Sequence, residues 1–557
     1  LSSLGWDRVR PEYSRFSHLF VENCRLIMGI LSLGESFTRH KFAFDNLRSM
    51  SIGGDMNNSI DEKILEMLDK ANFLTLGTSV GGNSSSANVF FAHDGFDIYF
   101  FTFNPTRKAE QIRVNPRVQC VVRPDGTEGI KELQIEGRAM QVKDPEEVEK
   151  AYKMVLEVTE AFKTYMEDEF LKKNKVIGYY KIKPTNIKYV DFYAENQFEW
   201  REFPENQESL AGSIIKGALR KVGLYLRAVR APFFTATIAP VTLGAAVAYY
   251  NFGAFHWNLF WWTLLGAILA HAGTNSANDY SDHVTRNDES NKLFSPFNGG
   301  SRVIQAGLMS PSKVFILAVV MFTGAIAIGL NLNALLHGAP LAVSPLLWFG
   351  IAGVALGIFY TGAPFRFSYH GFGDIAVFLG FGPVMALGSH YVQKQALMPA
   401  AEWNFLPVLM ASIPVAIMVA MILFINGFQD FSADRAVGKR TWIVRSAEGG
   451  DVANYNKPFA IYKAALYLTF LSILGLGVAG AVNAEFSTPW VLIAMLPFLL
   501  ARKAMKMGAD WLQRWAEEDA DRQKLPYELL MVNVSTIGTH FSVGILLVLG
   551  YWLGTVL

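Results

Sequence analysis

The chain has 557 residues, of which 51% are hydrophobic and 18% charged, with a net charge of +1 and two cysteines. This balance excludes a global basic field, so we expect no nucleic-acid partner. Cys24 and Cys120 lie far apart without metal-ligand spacing, which argues against a disulfide framework. Charged residues crowd the N-terminal part and apolar runs fill the rest, so a two-part chain is predicted.

Residues 1–55 contain the mixed stretch "RLIMGILSLGESFTRHKF". It is too interrupted for the apolar core of a signal peptide, so we predict a leader of uncertain structure. A short amphipathic extension that packs on the next domain is the alternative.

Residues 56–205 open with the helical pattern "SIDEKILEMLDKA" and continue as short β-rich runs with Gly and Asp-Gly turn signals. This pattern predicts a small antiparallel β-barrel. A further helix is predicted at "DPEEVEKAYKMVLEVTEAF". The N-terminal domain is therefore expected to be α+β.

A phosphate site is predicted where the strand "IYFFTF" leads into "NPTRKAEQI". The hydroxyls of Thr102 and Thr106, the Arg107 guanidinium and the Lys108 ammonium meet the free N–H groups of a helix start there. A solvated Arg-Lys pair is the alternative for the two cations taken alone.

The same stretch, from "YFFT" through "TRKAEQI" and "NPRV" to "IEGRA", resembles the flavin-binding split barrels of the pyridoxamine 5'-phosphate oxidase family over roughly residues 60–200. The resemblance implies that Thr102, Arg107 and Lys108 hold the phosphate of FMN or of a related flavin or deazaflavin. Glu132 stands where that family often has Gln, and its C-terminal Arg-x-His-x-Arg motif is absent. Vitamin B6 oxidation is therefore not expected, and a barrel that binds no cofactor stays an alternative.

Residues 206–231 form a linker in which basic and apolar residues are interspersed, as in "SIIKGALRKVGLYLRAVRAP". This spacing predicts an amphipathic helix that lies on the lipid of an anionic membrane surface. A cationic segment that only enforces membrane topology is an equal alternative.

Residues 232–557 contain about nine apolar segments long enough to cross a ~30 Å hydrocarbon core, which predicts an all-α multi-span membrane bundle. They lie near 232–250, 257–279, 313–336, 342–361, 372–393, 405–428, 459–481, 487–502 and 534–556. Lys and Arg concentrate in alternate loops, so those loops and the N-terminal domain are expected in the cytoplasm, with the C-terminus on the opposite side. We expect a multi-pass protein of the cell (inner) membrane.

The stretch "NDYSDHVTRND" follows the second apolar segment. On a helix His271, Asn275, Asn278 and Asp282 share one face that leads to Asp288. Because polar groups are costly in lipid, this face is expected to line a protein cavity. A helix cap with hydrated loop carboxylates is the alternative for Asp279 and Asp288 taken alone.

A second polar face ends the apolar span "MILFINGFQDFSADRAVGKRT". Asn426, Asp430 and Asp434 share a helix face there, and Lys439 and Arg440 follow. Both clusters are predicted on the cytoplasmic side, where facing carboxylates suit a diphosphate bridged by Mg²⁺. An apolar helical bundle around such a headgroup implies a lipid-tailed allylic diphosphate as the donor. The cations would neutralise the charge of its diphosphate leaving group.

These paired motifs resemble the UbiA superfamily of intramembrane prenyltransferases, over about residues 225–557. "LRAVRAPFFT", "GGSRVIQAGLMSP", "FYTGAPFRFSYHGFGD" and "DRAVGKRT" resemble the branch that prenylates 1,4-dihydroxy-2-naphthoate in menaquinone synthesis. That branch usually opens its second motif with Asn-Asn-x-Arg-Asp. This chain reads "NGFQD", so Gly427 and Gln429 replace an amide and a cation.

The resemblance implies Mg²⁺ at Asp282, Asp288, Asp430 and Asp434, with Asn278 orienting the first set. Lys439 joins Asn278, Asp282, Asp430 and Asp434 in the predicted catalytic set.

Substrate contacts are predicted around the same motifs. Arg302 is a candidate for diphosphate oxygens, with a solvated loop position as its alternative. Tyr360 and Asp374 are candidates for the acceptor, with an interfacial belt position as the alternative for Tyr360. The predicted substrate-binding residues are Asn275, Arg302, Tyr360, Asp374, Asn426 and Arg440.

The leading hypothesis is a prenyltransferase that joins a polyprenyl diphosphate to an aromatic acceptor such as dihydroxynaphthoate, with a flavin domain that sets a redox state. A membrane-anchored flavin oxidoreductase acting on a lipid quinone is the alternative. A transporter explains buried polar residues but not two carboxylate motifs at one membrane face. Donor chain length and oligomeric state are not indicated.

Overall fold

A closed β-barrel forms the first part of the structure, a computed structural model that describes residues 55–124, 131–159, 163, 167, 176–291, 295, 297–447, 453–517, 520, 522 and 525–557. The predicted leader lies outside these residues except for its last position. The strands are β1 (Phe73–Val80), β2 (Asn83–Asp94), β3 (Asp97–Phe103), β4 (Arg117–Val122), β5 (Lys131–Gln141), β6 (Ile177–Asp191) and β7 (Phe198–Glu202).

The strands are antiparallel in the order β3-β2-β1-β4-β5-β6-β7, and β3 also pairs with β6. Six strands therefore close the barrel and β7 extends it. Leu74, Leu76 and Val80 of β1 are buried in alternation with outward residues, as expected for a strand with one face on a core. The barrel prediction is confirmed.

Three helices accompany the barrel. They are α1 (Asp55–Asp69), α2 (Arg107–Val114) and α3 (Pro145–Val158). Asp144 caps α3 by accepting a hydrogen bond from the Glu147 N–H, and Pro145 occupies the first helical turn. Both predicted helices are present, but α3 does not follow the last strand as predicted: it precedes β6, the strand that closes the barrel by pairing with β3.

Helix α4 (Leu210–Ala228) spans the linker, with Ser209 as its N-cap. Ile215, Leu219, Val222 and Leu226 are exposed on one face of this helix. Leu224, on another face, packs in a core that includes Val114 of the barrel. An amphipathic helix is thus present, and its placement on a membrane surface stays a prediction.

The remaining chain is helical. Its helices are α5 (Thr235–Phe252), α6 (Trp257–Val284), α7 (Asn287–Ser290), α8 (Pro311–His337), α9 (Pro345–Phe359), α10 (Gly373–Leu379), α11 (Met385–Leu397), α12 (Leu406–Ala436), α13 (Trp442–Ala447), α14 (Asn456–Val482), α15 (Phe498–Ala516), α16 (Leu525–Glu528) and α17 (Leu530–Val556).

Within the described ranges, six helical segments are long and apolar enough to cross a membrane. They are Ala231–Phe252, Pro311–His337, Gly373–Leu397, Leu406–Ala436, Asn456–Val482 and Leu525–Val556. The predicted count of nine is not confirmed. The other three predicted segments correspond to α6, which continues into polar sequence, to the short apolar α9, and to a 3₁₀ turn followed by the amphipathic start of α15.

Helix α12 is the centre of the bundle. The apolar part of α12 is 78% buried, whereas that of α8 is 28% buried. Helix α12 therefore packs among other helices, and α8 lies at the periphery of the bundle. α12 contacts α5, α14 and α17.

Candidate active site

A cavity of about 350 Å³ runs through the bundle between α6, α8, α9, α11 and α12. Asp282 and Asp430 line it near the C-terminal ends of α6 and α12. Leu332 and Leu346 line it near the opposite ends of α8 and α9. The cavity therefore has one acidic end and an apolar body.

Helix α6 brings the first predicted polar face to the cavity. Asn275, Asn278 and Asp282 all line it. The Asn278 amide donates to Asp282 Oδ2 at 3.1 Å, and the Asn275 amide donates to the Val229 carbonyl at 3.0 Å. His271 lines it one turn earlier and exchanges a hydrogen bond with Thr237.

Helix α12 supplies the second polar face. Asn426 and Asp430 line the cavity, and Asp434 lies one turn beyond them, buried. Lys439 bridges the two acidic sets, with its Nζ 3.7 Å from Asp282 Oδ1 and 3.5 Å from Asp434 Oδ1. The two motifs therefore meet through one buried cation.

Three asparagines of the segment that connects α6 to α8, called the connecting segment below, also join the two motifs. The sequence analysis did not predict them. Asn291 and Asn298 donate to Asp430 Oδ1 at 2.7 and 2.8 Å, and Asn287 donates to Asp434 Oδ1 at 3.1 Å. Their only sequence signal is the Asn-rich character of "TRNDESNKLFSPFNGG". The segment thus folds back over α12.

Asp288 is held at the acidic end by the segment that follows. It is 3% exposed and accepts from the Gln305 amide at 3.3 Å, while Arg302 donates to its backbone carbonyl. Gly300 has φ +79°, and a Cβ there would lie 2.6 Å from Asp288 Oδ2, so only glycine fits.

The electrostatics of this end favour an added cation. Burial, together with the neighbouring Asp282 and Asp279 carboxylates, raises the pKa of Asp288 to about 8. Burial alone would lower the pKa of Lys439, but Asp282 and Asp434 hold it well above its ordinary value. Excess carboxylate is therefore concentrated here.

Three buried oxygen atoms at this end have no hydrogen-bond partner in the described part of the chain. They are Asn278 Oδ1, Asp282 Oδ1 and Asn287 Oδ1. Carboxylate and amide oxygens are the ligands that hard divalent cations take. Among the described residues, however, no three His, Cys, Asp or Glu side chains cluster closely enough to hold a metal ion by themselves. The protein oxygens would therefore bind a cation that also takes ligands from a substrate.

Asp279 has a different position. Its carboxylate pairs with the Arg230 guanidinium and accepts from the Ser301 N–H at 3.1 Å, and it does not line the cavity. Arg230, which the sequence analysis placed in the linker, does line it. The neighbouring acids Asp279 and Asp282 thus face different partners.

The other predicted substrate residues divide into two groups. Tyr360 lines the cavity together with rings that the sequence could not place, Phe297 and Phe381 among them. Arg302, Asp374 and Arg440 are not among the described residues that line it. Arg440 is exposed and its N–H donates to the Tyr369 carbonyl.

The two positions that depart from the naphthoate branch lie away from the cavity. Gln429 is buried, donating to the Pro526 carbonyl at 2.8 Å and accepting from Asn533 at 3.3 Å. A Cβ on Gly427 would lie 2.9 Å from Ile443 Cγ1. In this chain both positions serve helix packing, so the departures leave the cavity lining intact.

The residues of the predicted phosphate site lie at the end of β3 and the start of α2, and their role stays a prediction. The Thr102 and Thr106 hydroxyls are 3.3 Å apart, and Arg107 donates to the Ser84 carbonyl at 3.3 Å. Burial lowers the pKa of Lys108, whose ammonium makes no hydrogen bond or ion pair within the described chain. Glu132 accepts from Arg123 and Gln134 at 2.6 and 2.7 Å.

Two known families match this chain. The UbiA prenyltransferase family matches residues 237–519, and the pyridoxamine 5'-phosphate oxidase family matches residues 60–189. The barrel and the helical bundle therefore each have a recognised relative.

Curated relatives match the helical part. The 2-carboxy-1,4-naphthoquinone phytyltransferase of Synechocystis is 29% identical over 59% of this chain and 94% of its own length. The 1,4-dihydroxy-2-naphthoate octaprenyltransferase of Bacillus subtilis is 25% identical over 57% and 88%. That of Mycobacterium tuberculosis is 30% identical over 48% and 80%.

A solved structure, a putative pyridoxamine 5'-phosphate oxidase from Listeria innocua, is 23% identical over 24% of this chain and 98% of its own length. The TM-score is 0.21, so this likeness supports no functional conclusion.

We predict that Asp279→Asn destabilises the protein, because it leaves the Arg230 guanidinium beside the cavity without its charge partner. Breaking such a pair typically costs about 3 kcal/mol. Unfolding in detergent micelles measures the loss. Glu289→Gln, at a carboxylate that is 38% exposed, is the matched control and should change stability little. Equal stability of the two variants would contradict the assignment of Asp279 to a structural pair.

Proposed function

Because this chain belongs to the UbiA prenyltransferase family, we propose that it transfers a polyprenyl group from an allylic polyprenyl diphosphate to 1,4-dihydroxy-2-naphthoate, with Mg²⁺ as the metal. The observation that carries the proposal is the cavity itself. Two acidic helix ends meet across Lys439 at one end, and an apolar body extends from them. A diphosphate headgroup and a lipid tail match these two parts.

The residues at the acidic end fit a Mg²⁺-bound diphosphate. Asp282, Asn278 and Asn287 each have a buried oxygen with no hydrogen-bond partner among the described residues, and the Asp282 oxygen lies 3.7 Å from Lys439 Nζ. Asp430 lines the same cavity from α12. Mg²⁺ usually takes one or two carboxylates together with substrate phosphates, which agrees with a protein site that is incomplete alone. When bound, the metal supplies positive charge that stabilises the departing pyrophosphate.

Lys439 would bind the leaving group directly. Its ammonium lies between Asp282 and Asp434, within 4 Å of both, so it is fixed before the substrate arrives. As the allylic C–O bond breaks, its electron pair goes to the pyrophosphate oxygen, and a pre-placed cation stabilises the charge that develops there.

Aromatic rings would stabilise the allylic cation on the donor. Phe297, Phe381 and Tyr360 line the same cavity as the acids, and the faces of such rings attract positive charge. An acceptor ring carbon then forms the new C–C bond and regains aromaticity by losing the group it carried, a proton or carbon dioxide.

The acceptor is inferred from the relatives. The Synechocystis relative acts, by its name, on a carboxylated naphthoquinone, and the Bacillus subtilis and Mycobacterium tuberculosis relatives on 1,4-dihydroxy-2-naphthoate. Both acceptors contain a carboxylated naphthalene ring system. We propose the same ring system here, in menaquinone synthesis at the cell membrane, with the acidic end of the cavity and the barrel on the cytoplasmic side.

We predict that Asp282→Asn and Asp430→Asn each lower prenyl transfer about a hundredfold or more, because each removes negative charge that places the metal-bound diphosphate. The assay supplies purified protein with Mg²⁺, a polyprenyl diphosphate and 1,4-dihydroxy-2-naphthoate, and detects product by mass. Asp94→Asn, at an exposed barrel carboxylate, is the control.

Two outcomes would overturn this proposal. Wild-type protein that forms no product with this acceptor, or with a panel of phenolic acceptors, refutes aromatic prenyl transfer. Prenyl transfer that is as fast in both variants as in wild type would contradict the role assigned to the two carboxylates.

The length of the apolar body should limit the length of the donor tail. Gly350 of α9 lines the cavity, and no atom lies within 4 Å of the place a Cβ would take. Gly350→Leu should therefore fold and fill part of the cavity. We predict that kcat/KM falls about tenfold for an octaprenyl donor and little for geranyl diphosphate. Gly475→Leu, at an exposed helix position with equal free space, is the control. An equal loss for both donors would contradict a tail site in this cavity.

We also propose that the barrel binds FMN or a related flavin through Thr102, Thr106, Arg107 and Lys108 and keeps the acceptor or product in one redox state. The half-buried Lys108 ammonium, which has no partner in the described chain, supports this proposal because a phosphate would supply one. When bound, the flavin supplies the hydride or electron chemistry.

We predict that purified protein carries a visible flavin absorption band that Lys108→Ala removes or strongly weakens. Lys150→Ala, at an exposed lysine of α3, should keep the band. A colourless wild-type protein that takes up no added FMN would refute the cofactor.

A further inference from the structure

The barrel is packed directly against the segment that closes the acidic end of the cavity. Val80 at the end of β1 and Val114 at the end of α2 pack in one apolar cluster with residues of α4, of the segment 303–309 and of α8. The buried members of this cluster are Val80, Ala228, Val303, Ile304, Ala306, Leu308, Met309 and Val314. Barrel and bundle therefore share a core at this point.

Polar contacts fix the same junction. Gln111 of α2 is fully buried, and its Oε1 accepts from the Thr78 and Ser85 hydroxyls at 2.6 and 2.9 Å. Its Nε2 donates to the Gly307 carbonyl at 3.4 Å, and Lys313 of α8 donates to the Gly81 carbonyl at 3.0 Å. The barrel thus contacts both ends of the segment 307–313.

A chain of charged contacts continues from the barrel to the cavity. Glu110 of α2 pairs with Arg227 of α4, and Arg227 Nε donates to the Ser301 carbonyl at 3.0 Å. The Ser301 N–H in turn donates to Asp279 Oδ2 at 3.1 Å. The Glu110 side chain is 12% exposed and the Arg227 side chain 35% exposed, so water screens this contact only in part.

Ser301 lies between the two residues that hold Asp288. Gly300 packs against the Asp288 carboxylate, and Arg302 donates to the Asp288 carbonyl. Gly299 and Gly300 both have positive φ, at 73° and 79°, a conformation that glycine adopts freely but also leaves freely. External contacts are therefore needed to keep this turn in one arrangement.

We infer that Glu110 of the barrel is a positioning residue for diphosphate binding: through Arg227 it holds the turn 300–302, and thereby Asp288, in its binding arrangement. The barrel then has a role in prenyl transfer that does not depend on any flavin. Ordering the turn before the donor arrives removes an entropic cost from binding. The inference rests on the proposed function, because it takes the acidic end to be the diphosphate site.

The test compares Glu110→Gln with wild type in the prenyl transfer assay. The variant should raise the KM for the polyprenyl diphosphate about tenfold and leave the KM for 1,4-dihydroxy-2-naphthoate unchanged. Calorimetric titration with Mg²⁺ and inorganic pyrophosphate should show the same loss of affinity without any turnover.

Two further variants make the result specific. Arg227→Lys keeps a cation for Glu110 but lacks the Nε–H that reaches Ser301, so it should shift the diphosphate KM in the same direction. Glu147→Gln breaks another barrel ion pair, with Lys181, and should leave both KM values unchanged. Glu110→Asp, which retains the carboxylate, should restore part of the affinity.

The possible outcomes distinguish a failure of the proposed function from a failure of the inference about Glu110. Wild-type protein that neither binds Mg²⁺-pyrophosphate nor forms product refutes the proposed function. Active wild-type protein with Glu110→Gln equal to Glu147→Gln overturns the inference. A rise in both KM values in Glu110→Gln, in step with lower thermal stability, also overturns it, because a general structural role would then explain the effect.

Discussion

The structure depends on enclosing several carboxylates at one end of an apolar helical bundle. Charged groups removed from water need partners, and the protein supplies them from all sides. Arg230 neutralises Asp279, Lys439 bridges Asp282 and Asp434, and amides from the connecting segment reach Asp430. Carboxylates still outnumber cations here, and burial together with the neighbouring carboxylates raises the pKa of Asp288 to about 8. A site with this imbalance stabilises a bound cation.

The need to pair buried carboxylates explains why Asp279 and Asp282, close together on α6, have different contacts. On α6, Asp282 faces the cavity, while Asp279, three residues earlier, faces Arg230 and the Ser301 N–H. Through these two contacts Asp279 joins α6 to Arg230, which directly precedes the span Ala231–Phe252, and to Ser301 of the connecting segment. The proposed diphosphate site needs both kinds of contact, because a site made from three separate chain segments is only as precise as the contacts that hold the segments together.

The barrel contributes to the same precision. Fused domains commonly meet through modest interfaces and move independently. Here residues 58–557 form one compact unit, and the barrel shares an apolar cluster and buried hydrogen bonds with the segment over the acidic end. Glu110 and Gln111, which closely follow Arg107 and Lys108 of the predicted flavin phosphate site, make two of the polar contacts at this junction. Any ligand of that site would therefore lie close to the junction.

The features that could be predicted from residue order alone are those that depend on local patterns. The β-rich runs with their turn signals and the helical spacing of Asn275, Asn278 and Asp282 could be predicted because side-chain direction and turn chemistry follow from local residue order. The family motifs were recognised by resemblance. Contacts between segments that are far apart in the chain are known only from the folded structure. The asparagines that join the motifs, the partner of Asp279 and the docking of the barrel depend on how chain segments separated by tens to hundreds of residues pack, and no periodic pattern records that packing.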